Sequence, residues 1–390
     1  MKQFHKFIFL IIGLLMSGLS TQVSEKIGIP TMPELIYVPL LFFLRNNFSF
    51  RKSALCGFGG WFCFWFLLLV ISILFGRFET SAVISTARAY LFLFAFFVIV
   101  RNVNINQYFL EAVFFSSFGS IIGWFLSISL KFLGYFPMTL DMVTYGNMMA
   151  IPICLALLFS HFFKWKYAIP IISMLVFISF TAALRRQILV TAVSLMICLI
   201  LYLIKTKSKK VIVVSIFTAM AFTALFPLAE SAVEEFSPVL YHRVFEKSRS
   251  FLSDEDDLHE DEVRRNNFVI LKNTLGDSII PHGFVSKRAM KDETVGIFVD
   301  NPLIELCYTF SIFLAIAFVF NIIKKGITAF IMYMKTYDYK LMFCIVTGSI
   351  LFLLLFIDGT NLTYTYNTPF SGIVIGLLFR YGSSKYKNNL

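Results

Sequence analysis

The stretch QILVTAVSLMICLILYLIKTKSKK, residues 187–210, decides the fold class of this chain. Its first 18 residues carry no charge, and as a helix they are long enough to cross a hydrocarbon core about 30 Å thick. Four lysines follow within six residues. Cytoplasmic flanks of membrane helices are enriched in Lys and Arg, so the stretch predicts a transmembrane helix that ends in the cytoplasm.

Similar apolar runs recur along the whole chain. Apolar residues make up 58% and charged residues 15% of the sequence, whereas soluble domains have about 45–50% and about 25%. The sequence therefore predicts an all-α, polytopic integral membrane protein with about twelve transmembrane helices. The runs lie at 7–19, 31–44, 54–75, 84–100, 109–130, 143–161, 168–184, 187–204, 211–228, 301–323, 341–357 and 366–379. We interpret the first run as an uncleaved anchor rather than a signal peptide.

The basic residues orient these runs. With a cytoplasmic N-terminus, the cytoplasmic segments hold 19 Lys and Arg, and the short external loops hold five, among them Lys131. This asymmetry places both termini in the cytoplasm and the one long polar segment, residues 229–300, on the external side, which is the periplasm in a diderm cell. The predicted organisation is an N-terminal bundle at 1–228, an external loop at 229–300 and C-terminal helices at 301–390.

The external loop is the one place where polar residues concentrate. It holds 15 of the 23 acidic residues but only 9 of the 34 Lys and Arg. The basic excess of the remainder indicates membrane orientation rather than a nucleic-acid surface. The six cysteines lie in apolar runs, so neither a disulfide framework nor a CxxC metal site is expected. We expect chemistry at the membrane face that carries this loop.

Three arginines outside the loop are candidates for anion binding. Arg185 and Arg186 follow one another at a tight external junction between two runs, where guanidinium groups and helix N-terminal amides suit a diphosphate. The alternative is a pair of arginines that reach the membrane interface as anchors. Arg88 lies about one turn inside its run, where a charge either faces a polar cavity or reaches the interface.

The loop segment HEDEVRRNNFVILKNTLG, residues 259–276, is typical of an amphipathic helix. Leu271 and Leu275 share a face, and Arg264 lies on that same face. Arg265 is turned about 100° away, beside Val269. A helix that docks its apolar face would direct Arg264 inward, whereas a solvated helix would leave both arginines as ordinary surface residues.

Two further loop residues could act as acid or base. His282, in the turn-like PHGF at 281–284, could act as an acid or a base near neutral pH, although a single loop histidine is also ordinary polar surface. Asp300 precedes a helix start, where its default role is an N-cap and its alternative role is a base or a ligand for a sugar hydroxyl. We interpret Glu111 as a solvated helix flank. The acidic run 254–257 is interpreted as a solvated turn.

Taken together, these residues resemble the bacterial O-antigen polymerase and ligase superfamily. Arg265 and Gly276 match the R-X10-G pattern of the polymerases, and the spacing from the arginine pair to residues 281–283 is similar to the "R … hPl.G.G" signature. DNPLIEL, residues 300–306, resembles the "(H/D)N..l" motif, and ALRRQILV, residues 183–190, resembles the external "SR" motif.

The resemblance implies a Wzy-type polymerase that extends a glycan carried on undecaprenyl diphosphate. It implies a diphosphate site of Arg185, Arg186, Arg88, Arg243 and Asn301, and catalytic roles for Asp300, His282, Arg264 and Arg265, with Gly276 and Gly283 as motif glycines. No metal or other cofactor is implied, because a polyprenyl diphosphate is itself a competent leaving group. Expected partners are the lipid-linked oligosaccharide, membrane lipid, a chain-length regulator and a flippase, with no nucleic acid.

Departures from the pattern favour the polymerase over the ligase. Ligases that transfer the polymer to lipid A have His before the Asn, where this chain has Asp300. Val285 replaces the second glycine of the G.G motif, and the glycine expected after residues 300–306 is absent. The alternatives are an O-antigen ligase, a lipid-linked oligosaccharide flippase or other secondary transporter, and a non-catalytic membrane scaffold. A flippase seldom needs a 72-residue external loop, and the arginines placed on the external side argue against a scaffold.

Overall fold

The computed structural model describes residues 3–17, 52–75, 80–102, 105–133, 147–182, 185–206, 269–284, 301–357 and 368–383, with a few single residues between them. Within these ranges, the side chains at 52–58, 75, 82, 132, 180–182, 185 and 186 lie outside the description. Two of the predicted runs, 31–44 and 211–228, lie outside the described residues, as does most of the loop at 229–300.

In this part of the chain every regular element is a helix, as the composition predicts. The elements are α1 (Gln3–Leu15), α2 (Lys52–Phe75), α3 (Thr80–Asn102), α4 (Gln107–Phe132), α5 (Ala150–Leu157), α6 (Trp165–Ala182), α7 (Arg185–Thr206), α8 (269–277), α9 (Pro302–Phe310), α10 (Ile312–Thr336), α11 (Tyr339–Ile357) and α12 (Thr368–Tyr381). A single π-helical turn, Leu158–Phe162, extends α5.

Among the described residues, five helices are long and apolar enough to cross a membrane. They are Val83–Asn102, Gln107–Lys131, Gln187–Thr206, Ile312–Thr336 and Tyr339–Ile357. Shorter apolar helices cover Gln3–Leu15, Gly59–Leu74, Ala150–Phe162 and Trp165–Ser179. The fold class of a helical membrane protein is therefore confirmed at this coarse level, and the count of about twelve crossings stays a prediction.

The predicted run 301–323 is wrong as one continuous helix. The chain forms the short α9, breaks at Ser311, and restarts as α10. Ser311 has φ 99° and ψ 153°, a conformation that no helix continues through, and its hydroxyl accepts the N–H of Leu314 to begin the next helix. The sequence does not reveal this break, because the residues on both sides of Ser311 are predominantly apolar.

Two helix pairs pack closely and in parallel. Lys6 contacts Glu111 and Ser17 contacts Gly123, so α1 and α4 run in the same direction. A Cβ on Gly119 would lie within 2.0 Å of the carbonyl oxygen of Leu10, which shows how closely the two backbones approach. In the other pair, Gly372 of α12 contacts Leu93 of α3.

Near the end of α12, a guanidinium N–H of Arg380 donates to the carbonyl of Val100 near the end of α3 (3.1 Å). The α3–α12 pair is therefore parallel as well. If the twelve predicted runs cross alternately, the first and fifth runs point the same way, and so do the fourth and twelfth. The two parallel pairs, α1–α4 and α3–α12, agree with that expectation. Which end of the bundle faces the cytoplasm stays a prediction.

The core lies where α5 meets α4, α7 and α11. Every residue of α5 is buried, and most of α11 and α12 is buried as well. By contrast, α10 buries only one narrow stripe, Ala315, Ile322, Ala329, Met332 and Tyr333. Its remaining apolar surface faces outward, which is the distribution expected of a helix at the lipid boundary.

Candidate active site at a broken helix

The break at Ser311 exposes backbone groups that a second segment satisfies. The last carbonyls of any helix have no partner within that helix, and in an apolar environment each unsatisfied group is costly. Here the carbonyl of Tyr308 accepts the N–H of His282 (3.0 Å), and that of Thr309 accepts the N–H of Gly283 (3.3 Å). The N–H of Ile312 donates to the carbonyl of Ser278 (2.9 Å). Residues 278–284 therefore pair with the broken helix backbone to backbone.

PHGF is consequently packed into the bundle, with Gly283 and Phe284 buried, rather than forming a surface turn. Gly283 has φ +81°, and a Cβ there would lie 2.6 Å from the carbonyl oxygen of Leu68 and 2.1 Å from the hydroxyl of Ser72. The hydroxyl of Ser72 accepts the N–H of Phe284 (2.6 Å) and donates to the carbonyl of Leu68 (2.7 Å). Phe284 is fully buried beside Trp65. Glycine at 283 is thus required both by conformation and by space.

His282 is placed against α9 rather than at the surface. Its ring stacks on Tyr308, with centroids 4.3 Å apart and planes 19° from parallel. The side chain is half-buried. A histidine held by its own backbone N–H and by a ring stack has a defined position, which general acid–base chemistry requires.

One site residue that the sequence analysis did not select is Glu305. It lies in α9 and is 4% exposed, and its carboxylate accepts a hydrogen bond from the hydroxyl of Tyr90 on α3 (3.0 Å). Charged groups inside membrane helices are costly and usually mark functional positions. The sequence does carry a sign of this position, because Glu305 is the one acidic residue of the apolar run 301–323 and lies one helical turn after Asn301.

Asn301, not Asp300, is the N-cap of α9. The side-chain oxygen of Asn301 accepts the N–H of Leu303 (2.9 Å), and its amide nitrogen donates to the carbonyl of Phe356 at the end of α11. This corrects the default N-cap role expected for Asp300, which itself lies outside the described residues. The hydrogen bond from Asn301 to Phe356 places the start of α9 beside the end of α11, at the same end of the bundle.

Of the predicted arginines, the structure describes the side chain of Arg88 alone. Arg88 is half-buried on α3, two residues before Tyr90, and positions two apart on a helix do not face each other. Arg185 and Arg186 are the first residues of α7, and only two residues separate α7 from the end of α6. This confirms the tight junction but does not give the positions of the two side chains. The remaining predicted arginines lie outside the described residues: Arg243, Arg264 and Arg265.

The described part of the loop helix agrees with the predicted phasing. In α8, Leu271 and Leu275 are half-buried, and Leu275 packs against the core, whereas Val269 is 50% exposed. Gly276, the second motif glycine, has open space around the position of a Cβ. Local packing therefore gives no reason for a glycine at 276, in contrast to Gly283.

At the opposite end of the bundle, the interpretation of Glu111 as a solvated flank is wrong. Glu111 is 7% exposed, lies 3.6 Å from the ammonium of Lys6, and accepts from the amide of Gln107 (3.1 Å). Gln107 also contacts His161 of the π turn (2.6 Å). At the other end of α4, in its last turn, Lys131 is buried as well (4% exposed), although the sequence assigns it to an external loop. Neighbouring parts of the protein therefore cover both ends of α4, at Glu111 and at Lys131.

Within the described ranges, no three His, Cys, Asp or Glu side chains are grouped so that they could hold a metal ion. The candidate active site therefore consists of the break at Ser311, the segment 278–284, and the side chains of Tyr90, Glu305 and Asn301. Its polar side chains lie along α9, from the N-cap Asn301 through Glu305 to Tyr308, against which His282 stacks. No protein-family model, curated protein or solved structure matches the chain.

Proposed function

We propose that this protein is a polysaccharide polymerase of bacterial inner membranes, of the Wzy type. It transfers a growing glycan from undecaprenyl diphosphate to a new lipid-linked repeat unit at the external face. The observation that carries the proposal is the broken helix at Ser311, which holds His282 against Tyr308 and begins at Asn301, next to Asp300. Substrates that are half lipid and half sugar require polar groups set into an otherwise apolar bundle.

In the proposed reaction, a hydroxyl of the acceptor sugar attacks the anomeric carbon of the donor glycan. The new glycosidic C–O bond forms as the C–O bond to the diphosphate breaks, and undecaprenyl diphosphate leaves with the bonding electrons. Asp300, or else His282, receives the hydroxyl proton. Arg185, Arg186 and one of Arg264 or Arg265 neutralise the leaving diphosphate as charge develops on it.

The remaining assigned residues bind or position. Arg243, Arg88 and Asn301 belong to the diphosphate and substrate site. Glu305 acts as a positioning residue, because its hydrogen bond with Tyr90 ties α9 to α3 and thereby holds the start of α9 beside the reacting groups. The segment that carries His282 is held by α9 in the same way.

The test is deletion of the gene followed by analysis of surface and lipid-linked glycans on gels. A polymerase deletion leaves a single repeat unit and no ladder. Accumulation of lipid-linked polymer with no transfer to the final acceptor would instead indicate a ligase. Accumulation of intermediates on the cytoplasmic face would indicate a flippase and contradict the proposal.

Complementation with single variants tests the site. His282→Ala should abolish or strongly shorten the ladder while the protein remains in the membrane at normal level. The matched control is His161→Ala, an exposed histidine at the opposite end of the bundle, which should support a normal ladder. A full-length ladder from both His282→Ala and the double variant Arg264→Ala/Arg265→Ala would reject the proposed site.

A further inference from the structure

The second half of α10, residues 321–336, presents two different faces to the outside. One outward stripe is apolar, with four exposed side chains at helical spacing: Ile323, Ile327, Phe330 and Met334. The other outward stripe is polar, with members three, four and seven residues apart: Asn321, Lys324, Thr328 and Lys335. The two stripes lie about 120° apart around the helix axis. The third side of the helix is its buried stripe, which packs on the bundle.

This division into faces is typical of a helix at the boundary between lipid and water. A helix surrounded by lipid is apolar on every outward side, whereas a helix in a membrane interface has one apolar and one polar outward side. The first half of α10, residues 312–320, consists of apolar residues alone. The change of composition at Asn321 therefore indicates the point at which α10 reaches the interface.

The contacts of this half of α10 follow a path across the end of the bundle. A Cβ on Gly382, just after α12, would lie 2.6 Å from the carbonyl oxygen of Lys325. Two turns later, the hydroxyl of Tyr333 donates to the carbonyl of Leu201 in α7 (2.8 Å). Within a length of about 12 Å, α10 therefore passes from α12 to α7. A helix aligned with its neighbours would keep the same neighbours over two turns.

The start of α11 lies at the same end of the bundle. Tyr333 also contacts the sulfur of Met342, in the first turn of α11 (3.9 Å). Leu201 belongs to the last part of α7, and Gly382 follows the last turn of α12. Residues 325–333 therefore cross the end at which α7 and α12 finish and α11 begins. The basic flanks predict that this end faces the cytoplasm.

Packing on the bundle fixes the rotation of this segment about its own axis. Ala329 and Tyr333 are fully buried, and the hydrogen bond to Leu201 holds the Tyr333 side chain in place. With that side held, the helix cannot turn its apolar outward stripe into the bundle. Ile327 and Phe330 therefore remain 56% and 42% exposed, and removing such surface from water is favourable.

The apolar outward stripe continues without a break from the first half of α10. Three exposed residues precede Ile323 at the same spacing of three and four: Phe313, Ile316 and Phe320. The first half extends from the helix break and belongs to a bundle with helices long and apolar enough to cross a membrane, so its outward side faces lipid. Continuity of the stripe makes the same lipid, rather than a second protein, the partner of its second half.

We propose that residues 321–336 lie along the membrane interface as an amphipathic segment, rather than crossing the bilayer. The stripe of Ile327 and Phe330 enters the lipid, and the stripe of Asn321 and Lys324 faces water. Lipid crossing is then shared by α9 and the first half of α10. This inference does not depend on the proposed glycan transfer, because it involves none of the residues assigned to that reaction.

The experiment is site-directed spin labelling of the purified full chain in liposomes of phosphatidylethanolamine and phosphatidylglycerol. Relaxation of each label by oxygen, which dissolves in lipid, is compared with relaxation by a water-soluble nickel chelate. The signal of the labelled native chain, which has six cysteines, is subtracted as background. Single variants cover the polar and the apolar stripe: Asn321→Cys, Lys324→Cys, Lys335→Cys, Ile323→Cys, Ile327→Cys and Phe330→Cys.

The matched control is α7, which is long and apolar enough to cross the membrane. Leu189 and Met196 are exposed, lie seven residues apart and share an outward face, so Leu189→Cys and Met196→Cys report two depths about 10 Å apart along the helix axis. A variant whose unfolding temperature in detergent falls below that of the native chain is replaced by the next position of the same stripe.

The ratio of oxygen relaxation to nickel relaxation should alternate with the helical period along residues 321–335. It should be high at the apolar stripe and low at the polar stripe, with no net change from Asn321 to Lys335, because a segment in the interface stays at one depth. In the control, the ratio should rise from Leu189 to Met196, because a crossing helix changes depth along its length.

Three results would overturn the proposal. A steady change of the ratio from Asn321 to Lys335, like that in α7, would mean that this half of α10 crosses the membrane. Strong nickel relaxation at both stripes would mean that water surrounds the segment. Weak relaxation by both reagents at Ile327 and Phe330 would mean that protein, either a partner or a second copy of the chain, covers the apolar stripe instead of lipid.

Discussion

The clearest prediction concerns the two motif glycines, because the structure treats them in opposite ways. In Gly283→Ala, the new methyl group meets the carbonyl oxygen of Leu68 at 2.6 Å and the backbone nitrogen of Ser72 at 2.9 Å, and the residue keeps φ +81°. Both contacts involve helix backbone, so neither can be relieved by rotating a side chain. The segment or α2 must move.

The size of the effect follows from two contributions. A residue with a Cβ in the left-handed region costs about 1–2 kcal/mol, and overpacking a tight interior costs about 1–3 kcal/mol. Gly283→Ala should therefore lower the free energy of unfolding by about 2–5 kcal/mol. Because the displaced segment carries His282, the glycan ladder should be lost as well.

Gly276→Ala is the matched control. Nothing lies within 4 Å of the position of its Cβ, and alanine is the better helix former by about 0.5–1 kcal/mol. Thermal unfolding of the purified proteins in detergent, with each variant measured beside the native chain, gives the comparison. An unchanged unfolding temperature for Gly283→Ala, or an equal loss for Gly276→Ala, would refute the packing of residues 278–284 against α2.

Three further substitutions test the candidate active site by the same unfolding measurement. Tyr90→Phe removes the hydroxyl that donates to the Glu305 carboxylate and should lower the free energy of unfolding by about 1–3 kcal/mol. In a double-mutant cycle with Glu305→Gln, the double variant should lose less stability than the sum of the two single variants. Simple additivity would argue against the contact. Asn301→Ala removes the N-cap of α9 and should cost about 1 kcal/mol, whereas no loss would place the helix start elsewhere. Ser72→Ala removes the acceptor for a buried N–H and should cost about 1–3 kcal/mol; a neutral result would mean that this N–H has another partner.

Hydropathy and charge were sufficient to predict the apolar helices that run without a break. The run 187–204 corresponds to α7, Arg185–Thr206, and the run 341–357 to α11, Tyr339–Ile357. The tight junction before Arg185 was also predicted correctly, because two apolar runs there are separated by only a few residues. These features depend on local composition, which a sequence displays directly.

The features that define the candidate site depend instead on which segments meet. Nothing in the run 301–323 marks Ser311 as a break, because the residues on both sides are predominantly apolar. PHGF has the composition of a surface turn, and only its pairing with the last carbonyls of α9 makes it a buried segment. Glu111 and Lys131 have the composition of solvated flanks, yet neighbouring helices cover both.

By itself, the sequence determined that this chain is a helical membrane protein, where most of the helices that the structure describes begin and end, and which segment concentrates the acidic residues. The physical reason is that transfer from water to lipid is governed by side-chain polarity, summed over about 20 neighbouring residues. Only the tertiary structure decided that α9 and α10 are separate, that Gly283 cannot be replaced, and that Glu305 meets Tyr90. Those facts follow from backbone hydrogen bonds and steric contacts between distant segments, which no local property of the sequence records.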